Sequence, residues 1–69
     1  MNINQKIGKN IRKLREAKGL TAEKLAWFSG LSGSCISNAE RGVADTKIST
    51  IAAICKTLEI SMEDFFKGF

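Results

Sequence analysis

Three glycines, Gly19, Gly30 and Gly42, divide much of the chain into short segments, and each follows a stretch whose apolar residues recur at spacings of three and four. That pattern leaves room for brief amphipathic helices and for little else. Proline is absent, and β-branched runs long enough for a sheet are few. Ile7, Ile11 and Leu14 form one stripe of a first helix from about Asn4 to Lys18. Gly19 then offers a left-handed cap, and Leu20 points back to the core. Thr21 is the N-cap of a second helix, with Glu23 favouring the dipole in its first turn, Lys24 denying it a full capping box, and Leu25 and Ala26 inward. Ser32 caps a third helix from about Gly33 to Glu40, and Val43 to Lys47 is a loop. A fourth helix covers about Ile48 to Leu58, with Ile51, Ile54, Cys55 and Leu58 on one face. Its stop is weak, because Glu59 stands where Gly or Asn is preferred. Ser61 and Asp64 suggest a capping box for a last short helix whose core residue is Phe65. The predicted fold class is all-α, five helices in one domain spanning residues 1–69.

A chain of 69 residues buries a small core, so every apolar helix face must contribute. No apolar stretch approaches the roughly 20 residues that span a bilayer, and Met1 to Lys9 lacks the apolar centre of a signal peptide. No membrane contact and a cytoplasmic location are expected. Cys35 and Cys55 stand alone, with no C-x-x-C pair and no histidine, so no metal site is expected. Both read as small apolar fillers in a cytosolic setting. Without histidine, tyrosine or a Gly-rich phosphate loop, the acid–base and nucleophile constellations of enzymes are missing, and no cofactor is called for. The net charge is +4 and unevenly spread. Lys6, Lys9, Arg12, Lys13, Arg15 and Lys18 fall in the first helix, opposed there only by Glu16. After residue 44, Lys47, Lys56 and Lys67 meet Asp45, Glu59, Glu63 and Asp64. A basic N-terminal half suits a polyanion such as DNA. A solvated helix face with no partner accounts for the charge as well.

The central signal is a pair of short helices joined by a tight turn. It runs from Thr21-Ala22-Glu23-Lys24-Leu25-Ala26 through Ser29-Gly30-Leu31-Ser32 to Ile36-Ser37-Asn38-Ala39-Glu40-Arg41-Gly42. Small Ala26 lets the helices approach, Gly30 turns the chain, and Leu31 and Ile36 lock the pair to the core. Such a unit can present its second helix to a groove about 12 Å wide. Together with Ile11-Arg12-Lys13-Leu14-Arg15, Gly19-Leu20-Thr21 and Ile60-Ser61, these residues resemble the lambda-repressor and Cro type (Xre family) of helix-turn-helix domain, from Ile7 to Phe65. The resemblance implies five helices, the helix beginning near Gly33 in the major groove, and the helix beginning at Thr21 across the backbone. It also implies a dimer on a pseudo-palindromic duplex. In similar proteins an arginine near the end of helix one pairs with the glutamate ending helix three, which carries over to Arg15 and Glu40. Glu40 lies four residues after Ile36, on or near the inner face, where a carboxylate wants a bidentate cation.

With Ile36 inward, Ser34, Ser37, Asn38 and Arg41 point outward beside Gly33. Asn38 can read adenine, the serines can donate to base edges or phosphate, and Arg41 lies where a phosphate is expected. Thr21, Ser32 and Lys47 complete the expected DNA-contacting set. Three residues depart from the family pattern. Ala22 replaces a phosphate-holding glutamine, Gly33 a long polar side chain, and Asp45 sits in a loop that is often basic. Trp27 lies about 200° from Leu25 and should face out, either folded flat over nearby aliphatic stems or as a partner anchor, whereas Phe28 can lean inward and fill volume left by the small Ala39. Phe66 and Phe69 suggest a dimer contact. The expected function is a sequence-specific double-stranded DNA-binding transcriptional regulator: a repressor or autoregulator of phage, restriction-modification or mobile-element type. No separate sensor domain is expected. The alternative is a protein-interaction or antitoxin-like module on the same fold, using Trp27, Phe28 and the Phe65-Phe66-Phe69 cluster.

Overall fold

The chain enters its first helix through Asn2, slightly earlier than the apolar periodicity indicates. The Asn2 side chain accepts from the Gln5 N–H at 2.9 Å, and the Gln5 side chain accepts from the Asn2 N–H at 3.1 Å. This reciprocal box satisfies two donors that a helix start otherwise leaves unpaired. The computed structural model describes residues 1–69 and contains five helices and no strand. They are α1 Ile3–Ala17, α2 Ala22–Phe28, α3 Gly33–Arg41, α4 Ile48–Leu58 and α5 Met62–Phe65. Thr21, Ser32 and Ser61 cap α2, α3 and α5 through their hydroxyls. At Ser61 only half of the expected box forms. The Asp64 N–H donates to the hydroxyl at 3.0 Å, but the Asp64 carboxylate makes no return bond. Aspartate is one methylene shorter than the glutamate this motif favours.

Inward stripes from all five helices meet in one core. It comprises Ile7, Ile11, Leu25, Ala26, Ile36, Ala39, Ile51, Ile54, Cys55, Leu58 and Phe65. Leu14, Leu20, Leu31 and Ile60 close its edges. The backbones of α1 and α3 approach closely at Gly8. A Cβ added there would lie 2.5 Å from the Glu40 carbonyl oxygen and nearer still to that of Ala39. Ala39 is buried and borders a hollow with Cys35 and Asn38 that Phe28 does not enter. The expectation that Phe28 packs there is overturned: Phe28 is 60% exposed and faces α4, beside Ala53 and Thr57.

Left-handed residues follow four of the helices: Gly19 after α1, Gly30 after α2, Gly42 after α3 and Glu59 after α4. Gly42 stops α3 at φ 66°, where an added Cβ would meet the Gln5 backbone at 2.8 Å. Glu59 stops α4 at φ 58° and is the one non-glycine residue in that region. A side chain is disfavoured in this conformation, but here its carboxylate receives the Lys18 ammonium at 2.9 Å, joining the end of α1 to the end of α4. That contact holds the Glu59 carboxyl below the usual carboxylate range. Asn10 ties the middle of α1 to α5 by donating to the Phe65 carbonyl at 2.7 Å. No helix is long and apolar enough to cross a membrane.

Candidate nucleic-acid interface

One ion pair ties the last turn of α3 to the end of α1. Arg15 Nε donates to Glu40 Oε2 at 2.6 Å and Arg15 Nη2 to Glu40 Oε1 at 3.0 Å. Arg15 Nη1 donates to the Leu20 carbonyl at 2.9 Å. One guanidinium thus joins the end of α1, the α1–α2 turn and the last turn of α3. The side chains are only 13% and 11% exposed. The hydrogen bond to Glu40 outweighs desolvation and raises the Arg15 pKa. Charge-assisted bidentate geometry of this kind fixes direction as well as distance.

With Ile36 and Ala39 buried, the outer face of α3 carries Ser34, Ser37, Asn38 and Arg41, all exposed. These four and Gly33 line an open hollow shared with Ala22 and Glu23 of the first turn of α2. A second hollow lies on the other side of α3, between Cys35, Asn38 and the loop residues Ala44 to Lys47. Asn38 borders both hollows. The amide of Asn38, two hydroxyls and a guanidinium thus share one ridge, the set of donors and acceptors that can address base edges and phosphates.

Thr21 and Ser32 stand at the edge of this face with part of their capacity already used. Each hydroxyl oxygen accepts a cap hydrogen bond at 3.1 Å, from Lys24 N–H and Cys35 N–H respectively. The O–H of each remains able to donate to an anion. Lys47 is exposed at the start of α4 and lines the second hollow. Asp45 is held by Asn4, whose Nδ2 donates to it at 2.8 Å, so the loop is pinned to the start of α1. Sequence reasoning assigned Glu23 only a role with the helix dipole. The structure sets it in the same hollow as Arg41, and its nearness to Gly33 across the α2–α3 turn is not visible in linear spacing.

The basic first helix does not line this face. Arg12 pairs with Glu16, Arg15 with Glu40 and Lys18 with Glu59. Lys6, Lys9 and Lys13 surround a different hollow, on the side of α1 facing the C-terminal segment. The two hollows beside α3 hold Glu23, Arg41, Asp45 and Lys47, two charges of each sign.

Trp27 is 78% exposed and stacks at a tilt on Phe28, with ring centroids 5.4 Å apart. Phe66 is half-buried with its edge toward Phe65, so much of its surface is already covered within the chain. Phe69 is 42% exposed and meets Phe66 edge-on at 5.2 Å. Both cysteines are free, Cys35 half-buried and Cys55 buried. Burial pushes the Cys55 thiol pKa up and leaves it unreactive.

The helix-turn-helix family matches residues 11–65 of the chain. The HTH-type transcriptional regulator PuuR of Escherichia coli (strain K12) is 34% identical over 59 residues, which cover 86% of this chain and 32% of that protein. The chain thus spans about a third of the length of that relative. Control protein C.SmaI of Serratia marcescens is 32% identical over 62 residues, covering 90% of this chain and 74% of the relative. Among solved structures, the restriction-modification controller protein C.AhdI from Aeromonas hydrophila superposes with a TM-score of 0.87 at 36% identity, covering 91% of this chain and 96% of that one.

Proposed function

The chain belongs to the helix-turn-helix family of DNA-binding transcriptional regulators, and from that premise we propose that it is a small repressor or autoregulator of the controller type that reads an operator with α3. It acts by binding, as a homodimer in the cytoplasm, on a duplex whose two half-sites mirror the twofold axis. The observation that carries this reading is the ridge of Ser34, Ser37, Asn38 and Arg41, aimed outward by the Arg15–Glu40 pair. Asn38, bordering both hollows, is the base-reading residue. Arg41, at the last turn, takes a phosphate, with Thr21, Ser32 and Lys47 as further backbone donors. Gly33 leaves room for the duplex to approach the start of α3, since nothing lies within 4 Å of where its Cβ would be. Phe66 and Phe69 supply the dimer contact at the end of α5.

Two substitutions separate these roles. Asn38→Ala is expected to cost about 1–3 kcal/mol on the preferred duplex and little on a scrambled one. Arg41→Ala is expected to weaken both alike and to reduce the salt slope by about one. Fluorescence anisotropy on both duplexes at several salt concentrations measures the difference. Identical behaviour of the two variants contradicts the division between base and phosphate contacts. A second reading, a protein-interaction module, is favoured by the exposure of Trp27 and Phe28. In that reading Trp27→Ala abolishes partner binding, and Asn38→Ala has no effect on function.

A further inference from the structure

The positive charge of this protein is concentrated away from α3. Lys6, Lys9, Lys13 and Lys67 surround one shallow hollow whose other lining residues are Met1, Asn10, Gly68 and Phe69, with no acidic side chain among them; Phe69 is also a proposed dimer contact, so the patch borders the dimer seam. None of the four lysines is in an ion pair. Glu63 and Asp64, in the first turn of α5, pair with none of them either. The whole chain has 11 basic and 7 acidic residues; setting these four lysines aside leaves seven of each. The patch therefore carries charge equal to the entire net +4.

Its direction follows from helix geometry. Gly8 and Arg15 mark the side of α1 that packs on α3. At 3.6 residues per turn, Lys6, Lys9 and Lys13 are centred roughly 140° around the helix from that side, and they span about 10 Å along its axis. The Asn10 bond to the Phe65 carbonyl holds α5, and with it the Lys67 segment, beside this stripe. Side chains so placed cannot reach the duplex into which α3 is inserted. A linear comb of unpaired cations matches a regularly charged strand. It lacks the fixed polar partners that would select a particular carboxylate or phosphate monoester.

We propose that this lysine patch is a second DNA-backbone contact, engaging the phosphates of a duplex segment other than the one read by α3, so that the protein can hold two segments together. The inference rests on the reading of α3 as the operator helix, which supplies the first contact. The second contact is independent of sequence and strongly salt-dependent.

The test immobilises a roughly 30-bp duplex enriched by the wild-type chain from a random pool, saturates it with the full chain, and then adds a second, fluorescent duplex of mixed sequence between about 50 and 200 mM salt. The wild-type protein is expected to capture the second duplex with a log–log salt slope of about −3 to −4, a loss of about a hundredfold across that range. The combined Lys6→Gln, Lys9→Gln, Lys13→Gln and Lys67→Gln variant is expected to hold the first duplex within about twofold and to lose capture of the second at least about tenfold. The same four positions changed to arginine are expected to keep capture. Equal capture by the glutamine variant, or failure of the arginine variant to capture, overturns the proposal. Wild type that binds one duplex and never a second overturns the patch and leaves α3 untouched. One-duplex binding and sequence preference unaffected by Asn38→Ala with Arg41→Ala overturn the α3 reading instead. Binding of a polyglutamate peptide, but not of the second duplex, overturns the DNA assignment in favour of an acidic protein partner.

Discussion

Gly8→Ala is expected to remove more than half of the protein's stability. The added methyl would sit 2.5 Å from the Glu40 carbonyl oxygen and closer still to that of Ala39, and both are backbone atoms that no rotamer change can move. To restore an ordinary contact, α1 and α3 must part by roughly 1 Å, which loosens the core on both sides. Overpacking against backbone costs about 3 kcal/mol or more, while a chain of this length holds on the order of 5 kcal/mol in all. Urea titration followed by circular dichroism measures the loss. Gly33→Ala is the matched control, because nothing lies within 4 Å of its Cβ position. It is expected to leave the midpoint unchanged or to raise it slightly. A Gly8→Ala midpoint equal to wild type would contradict the close approach of α1 and α3.

Glu40→Ala is expected to lower the melting temperature by about 12–24 °C. Removing the carboxylate strands the Arg15 guanidinium in a site where its side chain is only 13% exposed, with the Leu20 carbonyl as its remaining partner. Breaking a largely buried pair from one side costs about 3 kcal/mol, and each kcal/mol shifts the melting point of a domain this size by about 4–8 °C. Arg15→Met combined with Glu40→Leu is expected to recover most of that loss, because the cost lies in the unpaired charge rather than in the absence of the pair. The recovered protein is expected to bind DNA less well than its stability would allow, since the fork that aims α3 is gone. A melting curve for Glu40→Ala that overlays wild type would show that the pair holds nothing.

Much of this fold is legible in the sequence because local signals agree. Ile7, Ile11 and Leu14 mark the inner stripe of α1, Ile51, Ile54, Cys55 and Leu58 that of α4, and hydroxyl residues stand at the starts of α2, α3 and α5. What escapes is whatever depends on two segments meeting. Gly8 reads as an ordinary residue of a helix until α3 is laid against it. That Phe28 lies beside Ala53 and Thr57 rather than toward Ala39 is likewise set by how the helices pack. The capping box at Asn2 and Gln5 follows a recognisable pattern with amide side chains in place of hydroxyl and acid, so periodicity alone places the start of α1 too late.

The candidate interface divides in the same way. The outward set on α3 follows from 100° per residue once Ile36 is inward. The basic character of α1 is equally plain in the sequence, but its direction is not. Three of its cations are taken by carboxylates that are distant in sequence or one turn away, and the other three face away from α3. Charge counted along a chain measures how much field a helix carries. Only the packing of Gly8 and Arg15 against α3 shows where that field points.

Selection of bound duplexes from a random pool, at low and at moderate salt, tests most directly whether α3 reads an operator. An enriched inverted repeat with half-site centres about 10 bp apart, whose preference relaxes in Asn38→Ala, is the predicted result. No enriched sequence, with weak binding that disappears as salt rises and is unchanged by Asn38→Ala, would contradict it.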